Sequence, residues 1–117
     1  MAGKFTQTAD HVVAGIGLIR ESAPEALKAF GSLSLAATAT KALDSKTKEL
    51  MALAIGIAVH CDGCVAYHTR AARKNGATRE EVPETVALAL YMGGGPAAVY
   101  GADAIRAYDE FAGAPSG

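Results

Sequence analysis

Cys61, Cys64 and His68 stand at spacings of three and four, and Glu49 precedes the first of them by twelve. Residues three and four apart on an α-helix share a face, so both sulfurs and the imidazole project from one stripe. A thiol acts as nucleophile or ligand only as thiolate, and a helix N-terminus favours that charge through its unpaired N–H groups. Asp62-Gly63 breaks the chain just before a new helical run. A helix opening there puts both cysteines in or beside its first turn, where a cysteine pKa falls from about 8.5 towards or below neutrality. His68, one turn further on, is placed to take or return a proton.

Along a straight helix Glu49 would lie about 18 Å from Cys61, which forbids contact. An antiparallel helical hairpin reversing near His60 changes this. His68 then comes level with Ala52 on the preceding helix, and Glu49 lies within about one turn of that level. A carboxylate beside an imidazole fixes its tautomer and supports it as a base. A proton relay from Glu49 through His68 to Cys64, and across to Cys61, is within reach.

Three other readings of these residues compete. Two cysteines can be small buried hydrophobes, but the spacing to each other and to His68 argues against that. Cys61, Cys64 and His68 with His60 or Glu49 could form a four-ligand zinc set, since zinc prefers cysteine and histidine. Such sites usually draw a second ligand pair from elsewhere in the chain, and here only the isolated His11 remains. A thioredoxin-type arrangement requires a βαβ pattern, which is missing around this motif. The expectation is a redox pair with no metal and no cofactor.

The pattern of Glu49, Cys61-Asp-Gly-Cys64 and His68 resembles the alkylhydroperoxidase AhpD-like group of the carboxymuconolactone decarboxylase superfamily. The likeness extends from about Pro24 to Phe111 and includes Lys46-Thr-Lys-Glu-Leu, Gly76-Ala-Thr-Arg-Glu-Glu-Val and Met92-Gly-Gly-Gly-Pro. The resemblance implies an all-α fold, assembly as a trimer or hexamer, and a cysteine pair that reduces hydroperoxides and is reset by an external dithiol. Carried over by position, Cys64 matches the peroxide-facing cysteine, Cys61 its disulfide partner, His68 the relay histidine and Glu49 the relay carboxylate. The best-known peroxidases of the group carry a further histidine between the cysteines, where this chain has Gly63; the nearest substitute is His60, a supporting candidate. Those peroxidases also duplicate the helical unit, whereas this chain has room for one. The superfamily's muconolactone decarboxylases do not depend on a Cys-x-x-Cys pair, which argues against a lyase.

At 117 residues the chain is read as one domain, residues 1–117, small enough that self-association would add stability. Half its residues are hydrophobic but only 6% are aromatic, which suits closely packed helices more than a sheet. A net charge of -1 with mixed signs gives no electrostatic reason to expect nucleic acid or membrane partners. The longest apolar run, Leu50 to Val59, is about half the ~20 residues that span a bilayer. Paired thiols behind an N-terminus without a signal-peptide pattern point to a reducing cytoplasm.

Five to six helices are expected, the central pair forming the hairpin that carries Cys-x-x-Cys. Met1 to Gln7 should fray, and Thr8 should cap a helix through Arg20. Ser22-Ala-Pro-Glu25 has the form of a capping box that opens a second helix at Ala23, which Gly31 ends or bends. Leu33 to Thr40 is compatible with helix or loop. Asp44 or Ser45 caps the third helix, apolar on nearly every side and therefore expected at the centre of a bundle or between subunits. The fourth runs from Asp62 to Lys74 and stops at Asn75-Gly76. A second box, Thr78-Arg-Glu-Glu81, opens a helix with Val82, Val86, Leu88, Ala89 and Met92 inward. Gly93-Gly-Gly-Pro96 precedes the last helix, Pro96 to about Phe111, and is no phosphate loop because the required lysine and preceding strand are missing. The four tyrosines are read as packing residues, and Ala112 to Gly117 as a mobile tail.

Overall fold

Leu53 and Ile57 are wholly buried and lie one turn apart, so a single face of their helix forms the centre of the molecule. Burying two such side chains stabilises the fold by roughly 1.5–3 kcal/mol each. In the computed structural model, which describes residues 2–113, that helix is α3 (Ser45–Ala58). The others are α1 (Lys4–Ser22), α2 (Pro24–Thr38), α4 (Asp62–Lys74), α5 (Glu81–Gly93) and α6 (Gly95–Phe111), with no strand among the described residues. Val65 of α4, Val82 and Ala89 of α5, and Ala97 and Ala104 of α6 close around the centre. The small residues on α6 let helices approach: a methyl group at Gly101 would collide with Val86 of α5. The all-α architecture is as expected, with α3 and α4 as an antiparallel hairpin.

Local capping signals succeed where the sequence neighbours are the true partners. Asp44 accepts the Thr47 N–H at 2.8 Å and starts α3. The Thr78–Glu81 box forms in both directions, at 2.8 and 3.3 Å, and Glu81 also pairs with Lys46 of α3 at 2.9 Å. At the end of α4, Gly76 takes a positive φ of 94° and lets the Ala77 N–H return to the Ala72 carbonyl, a Schellman closure.

Other expectations are corrected. The chain does not fray up to Gln7: α1 begins at Lys4. Its first-turn N–H groups at Phe5 and Thr6, and the Thr6 hydroxyl, donate to the Glu110 carboxylate of α6, while Thr8 caps nothing and donates back to Lys4. Ser22 is the last residue of α1, so the Ser22–Glu25 box does not form, and α2 starts at Pro24 with Ala23 before it. Gly31 does not end α2, which runs to Thr38. Within one chain the apolar α3 is buried on one side only, so the bundle does not enclose it. Met51, Ile55 and Val59, spaced by four, form an exposed stripe on the other side, which leaves the expected alternative of a place between subunits. Leu88 and Met92 of α5 are also exposed, because they stand to one side of the narrow Val82–Ala89 face that meets the core, about 110° and about 70° round the helix from it. Tyr91, at 82% exposure, is not a packing residue. The last helix takes in Gly95, one residue earlier than expected. Ala112 and Gly113 close α6, whereas the tail from 114 to 117 lies outside the described residues, as does Met1.

Candidate active site

The hairpin turn is built by the backbone. α3 ends at Ala58, and His60 takes a left-handed φ of 61°, which for a residue with a side chain costs about 1–2 kcal/mol. In return the His60 and Cys61 N–H groups reach back to the Ile57 and Gly56 carbonyls at 3.2 and 3.0 Å, satisfying the end of α3. The reversal leaves Cys61 as the N-cap of α4, its sulfur accepting the Cys64 N–H at 3.1 Å. Cys61 and Cys64 are joined as a disulfide, with Cα atoms 5.2 Å apart. Both sulfurs therefore lie where the N-terminal amides of α4 would stabilise a thiolate once the bond is reduced.

Antiparallel packing brings the remaining two residues together. The Cβ position of Gly56 on α3 faces Cys64 on α4, so Glu49, two turns back, comes opposite His68, one turn on. Glu49 is only 7% exposed, and its carboxylate sits 2.7 Å from Nδ1 of His68. A carboxylate accepts, so Nδ1 is the donor and Nε2 is left free on the opposite side of the ring. Glu49 is therefore an inward-facing acid and not a solvated one at the start of α3. His68 remains partly exposed, one helical turn after Cys64.

His60 lies on the turn itself, its ring stacked on Tyr100 of α6 at 5.0 Å between centroids and 9° between planes. Among the described residues it makes no hydrogen bond to either cysteine or to His68. No group of three or more His, Cys, Asp or Glu among the described residues is arranged to hold a metal ion.

Two glycines shape this site: Gly63, already notable as the residue between the cysteines, and Gly56, which sequence reasoning missed. A methyl at Gly56 would stand 2.9 Å from Cys64 Cβ, so glycine is what lets α4 start this close to α3. A methyl at Gly63, between the cysteines, would stand 2.8 Å from Val12 of α1. An isolated glycine inside an apolar helix is a recognised sign of close approach, so Gly56 was within reach of sequence reasoning. Val12 carries no such sign.

Residues 24–107 match the carboxymuconolactone decarboxylase family. The chain belongs to that family. Among solved structures, a carboxymuconolactone decarboxylase family protein from Legionella pneumophila is similar to it, with 43% identity, a TM-score of 0.87, and 92% of this chain and 96% of the other covered. A second family member, from Thermotoga maritima, has 28% identity and a TM-score of 0.80 over 90% of each chain. An antioxidative response has been suggested for that protein. An uncharacterized protein of Cupriavidus necator is 39% identical over 93 residues, 80% of this chain and 82% of its own length. No helix among the described residues of this family member is long and apolar enough to cross a membrane.

Proposed function

We propose that the protein is a thiol-dependent peroxidase that reduces alkyl hydroperoxides through Cys61 and Cys64. The observation that carries this reading is the buried Glu49 carboxylate bonded to His68, one turn from a cysteine pair already joined as a disulfide. A merely structural disulfide has no use for a buried acid holding an imidazole beside it. The antioxidative response suggested for the Thermotoga relative points the same way.

In the reduced enzyme the Cys64 thiolate attacks the terminal oxygen of the hydroperoxide. The O–O bond breaks, Cys64 becomes a sulfenic acid, and the alkoxide leaves as alcohol with a proton delivered by His68. Glu49 holds Nδ1, so proton traffic runs through Nε2. The Cys61 thiol then condenses with the sulfenic acid, forming the disulfide and releasing water. An external dithiol resets the pair by exchange, itself becoming a disulfide. The Cys64 N–H aimed at the Cys61 sulfur favours Cys61 as the leaving thiolate in that exchange. No step is assigned to His60, and none requires a cofactor.

The experiment is to add cumene hydroperoxide to the reduced protein and follow thiol loss, disulfide formation by mass and bound metal together. Loss of two thiols per chain with one disulfide formed is expected, and Cys64→Ser should lower turnover by more than about a thousandfold. Full turnover by Cys64→Ser would overturn the assignment. Thiols that react only after chelation would favour zinc, and lactone decarboxylation indifferent to Cys64→Ser would favour the lyase. We further propose a homo-oligomer, trimer or hexamer, acting in a reducing cytoplasm. The exposed stripe of Met51, Ile55 and Val59 supports a second copy as its cover. Light scattering on the purified protein tests this.

A further inference from the structure

Nothing in the chemistry above requires more than a small peroxide, yet His68 opens onto a cavity of about 400 Å³ between α1, α2 and α4. Val12 and Ile16 of α1 and Leu27 and Phe30 of α2 supply an apolar wall. Tyr67 and His68 close it from α4. The volume is at the small end of the roughly 300–1,000 Å³ typical of small-molecule sites.

The two ends of the cavity differ. At one end Val12 rests on Gly63, between the two cysteines. Val12, Ile16 and Arg20 are spaced by four, so they share one face of α1, and Arg20 lies about 12 Å along the axis from Val12. Arg20 is exposed and makes no ion pair among the described residues. A guanidinium without a partner at the mouth of an apolar cavity is matched by a carboxylate.

We propose that this cavity selects an amphiphilic substrate, a fatty-acid hydroperoxide. The carboxylate pairs with Arg20, the alkyl chain lies along Val12, Ile16, Leu27 and Phe30, and the hydroperoxy group lies at the His68 end, one helical turn from Cys64. For its chemistry the inference rests on the peroxidase reading; for binding it rests on the cavity alone. Gly31 of α2 offers a way to narrow the site, because it lines the cavity and a Cβ added there meets nothing within 4 Å. Glycine is unfavourable inside a helix, so its replacement does not threaten α2.

Two measurements separate the layers. First, binding of ricinoleate, an unreactive hydroxy fatty acid, is measured by calorimetry on the oxidised protein, with its methyl ester, Arg20→Gln and Gly31→Phe as comparisons. Saturable binding is expected, weakened about tenfold by the ester or by Arg20→Gln, the worth of one charge-assisted contact, and at least as much by Gly31→Phe. Second, oxidation of the reduced protein by linoleic acid hydroperoxide is compared with that by hydrogen peroxide. The ratio of the two rates should fall about tenfold in both variants. Absent or variant-independent ricinoleate binding overturns the cavity assignment, even if both peroxides oxidise the thiols. Variant-sensitive binding with no oxidation by either peroxide supports the cavity as a fatty-acid site and overturns the peroxidase reading instead.

Discussion

The α3–α4 hairpin and the α1–α2 pair bury themselves in opposite ways. The hairpin puts Leu53, Ile57, Val65 and even the charged Glu49 inside, against α5 and α6. Of the fifteen residues of α2 only Leu27 is buried, while Phe30, Leu33 and Leu35 stand exposed. α2 packs mainly on α1 and lightly on α3. Glu49, His68 and the disulfide sit on the tightly packed pair. The loosely packed pair supplies most of the wall of the cavity onto which His68 opens, the wall that the proposed substrate meets. Regions with few buried apolar contacts open at lower cost, so recognition and chemistry are assigned to parts of unequal rigidity.

The contrast is sharpest in stability. Leu53→Ala should cost about 2–5 kcal/mol in chemical denaturation, because Leu53 is fully buried and its neighbours cannot collapse into the gap. Leu35→Ala, at 76% exposure, should change the dissociated chain by less than about 0.5 kcal/mol. Similar losses from both would dissolve the distinction.

Glu49→Gln comes next. Glutamine keeps the shape and can still accept from Nδ1 but carries no charge, so peroxide-driven thiol loss should slow about a hundredfold. The melting temperature should move little. A rate within about twofold of the parent would leave the Glu49–His68 pair as packing alone.

The smallest effect lies at the seam joining the two regions. Burial opposes charge on Glu110, but the Thr6 N–H and hydroxyl and the Phe5 N–H outweigh it and hold its carboxyl below the ordinary 4.5. A group depressed on folding contributes stability above its unfolded value, and that contribution disappears as pH falls through the folded one. Acidification below about 4.5 should therefore release the start of α1 while α3–α4 stays protected, read as faster amide exchange confined to Phe5 and Thr6. Equal loss of protection in both regions would show that the clamp does not act locally.

The same division explains what was legible in the chain. The limits of α4, the Asp44 cap and the Thr78–Glu81 box were readable because donor and acceptor lie within five residues of each other. The Glu49–His68 pair was readable because hairpin geometry converts a spacing of nineteen into a level. The start of α1 was not, since its cap, Glu110, is more than a hundred residues away. The Ser22–Glu25 box looked as good as the second one, yet α1 had already absorbed Ser22. Leu88 and Met92 satisfied helical periodicity only loosely, and the core accepted the narrower face set by Val82 and Ala89. Nothing in the sequence announces that Val12 touches Gly63, because that contact joins two helices far apart in the chain.

Gly63 leaves room beside the disulfide that a methyl group of Val12 on α1 fills. A relative with a larger residue at that position must carry a smaller one opposite it or seat its first helix further out. The letter between the two cysteines is thereby coupled to the first helix, and neither position can be enlarged without the other giving way.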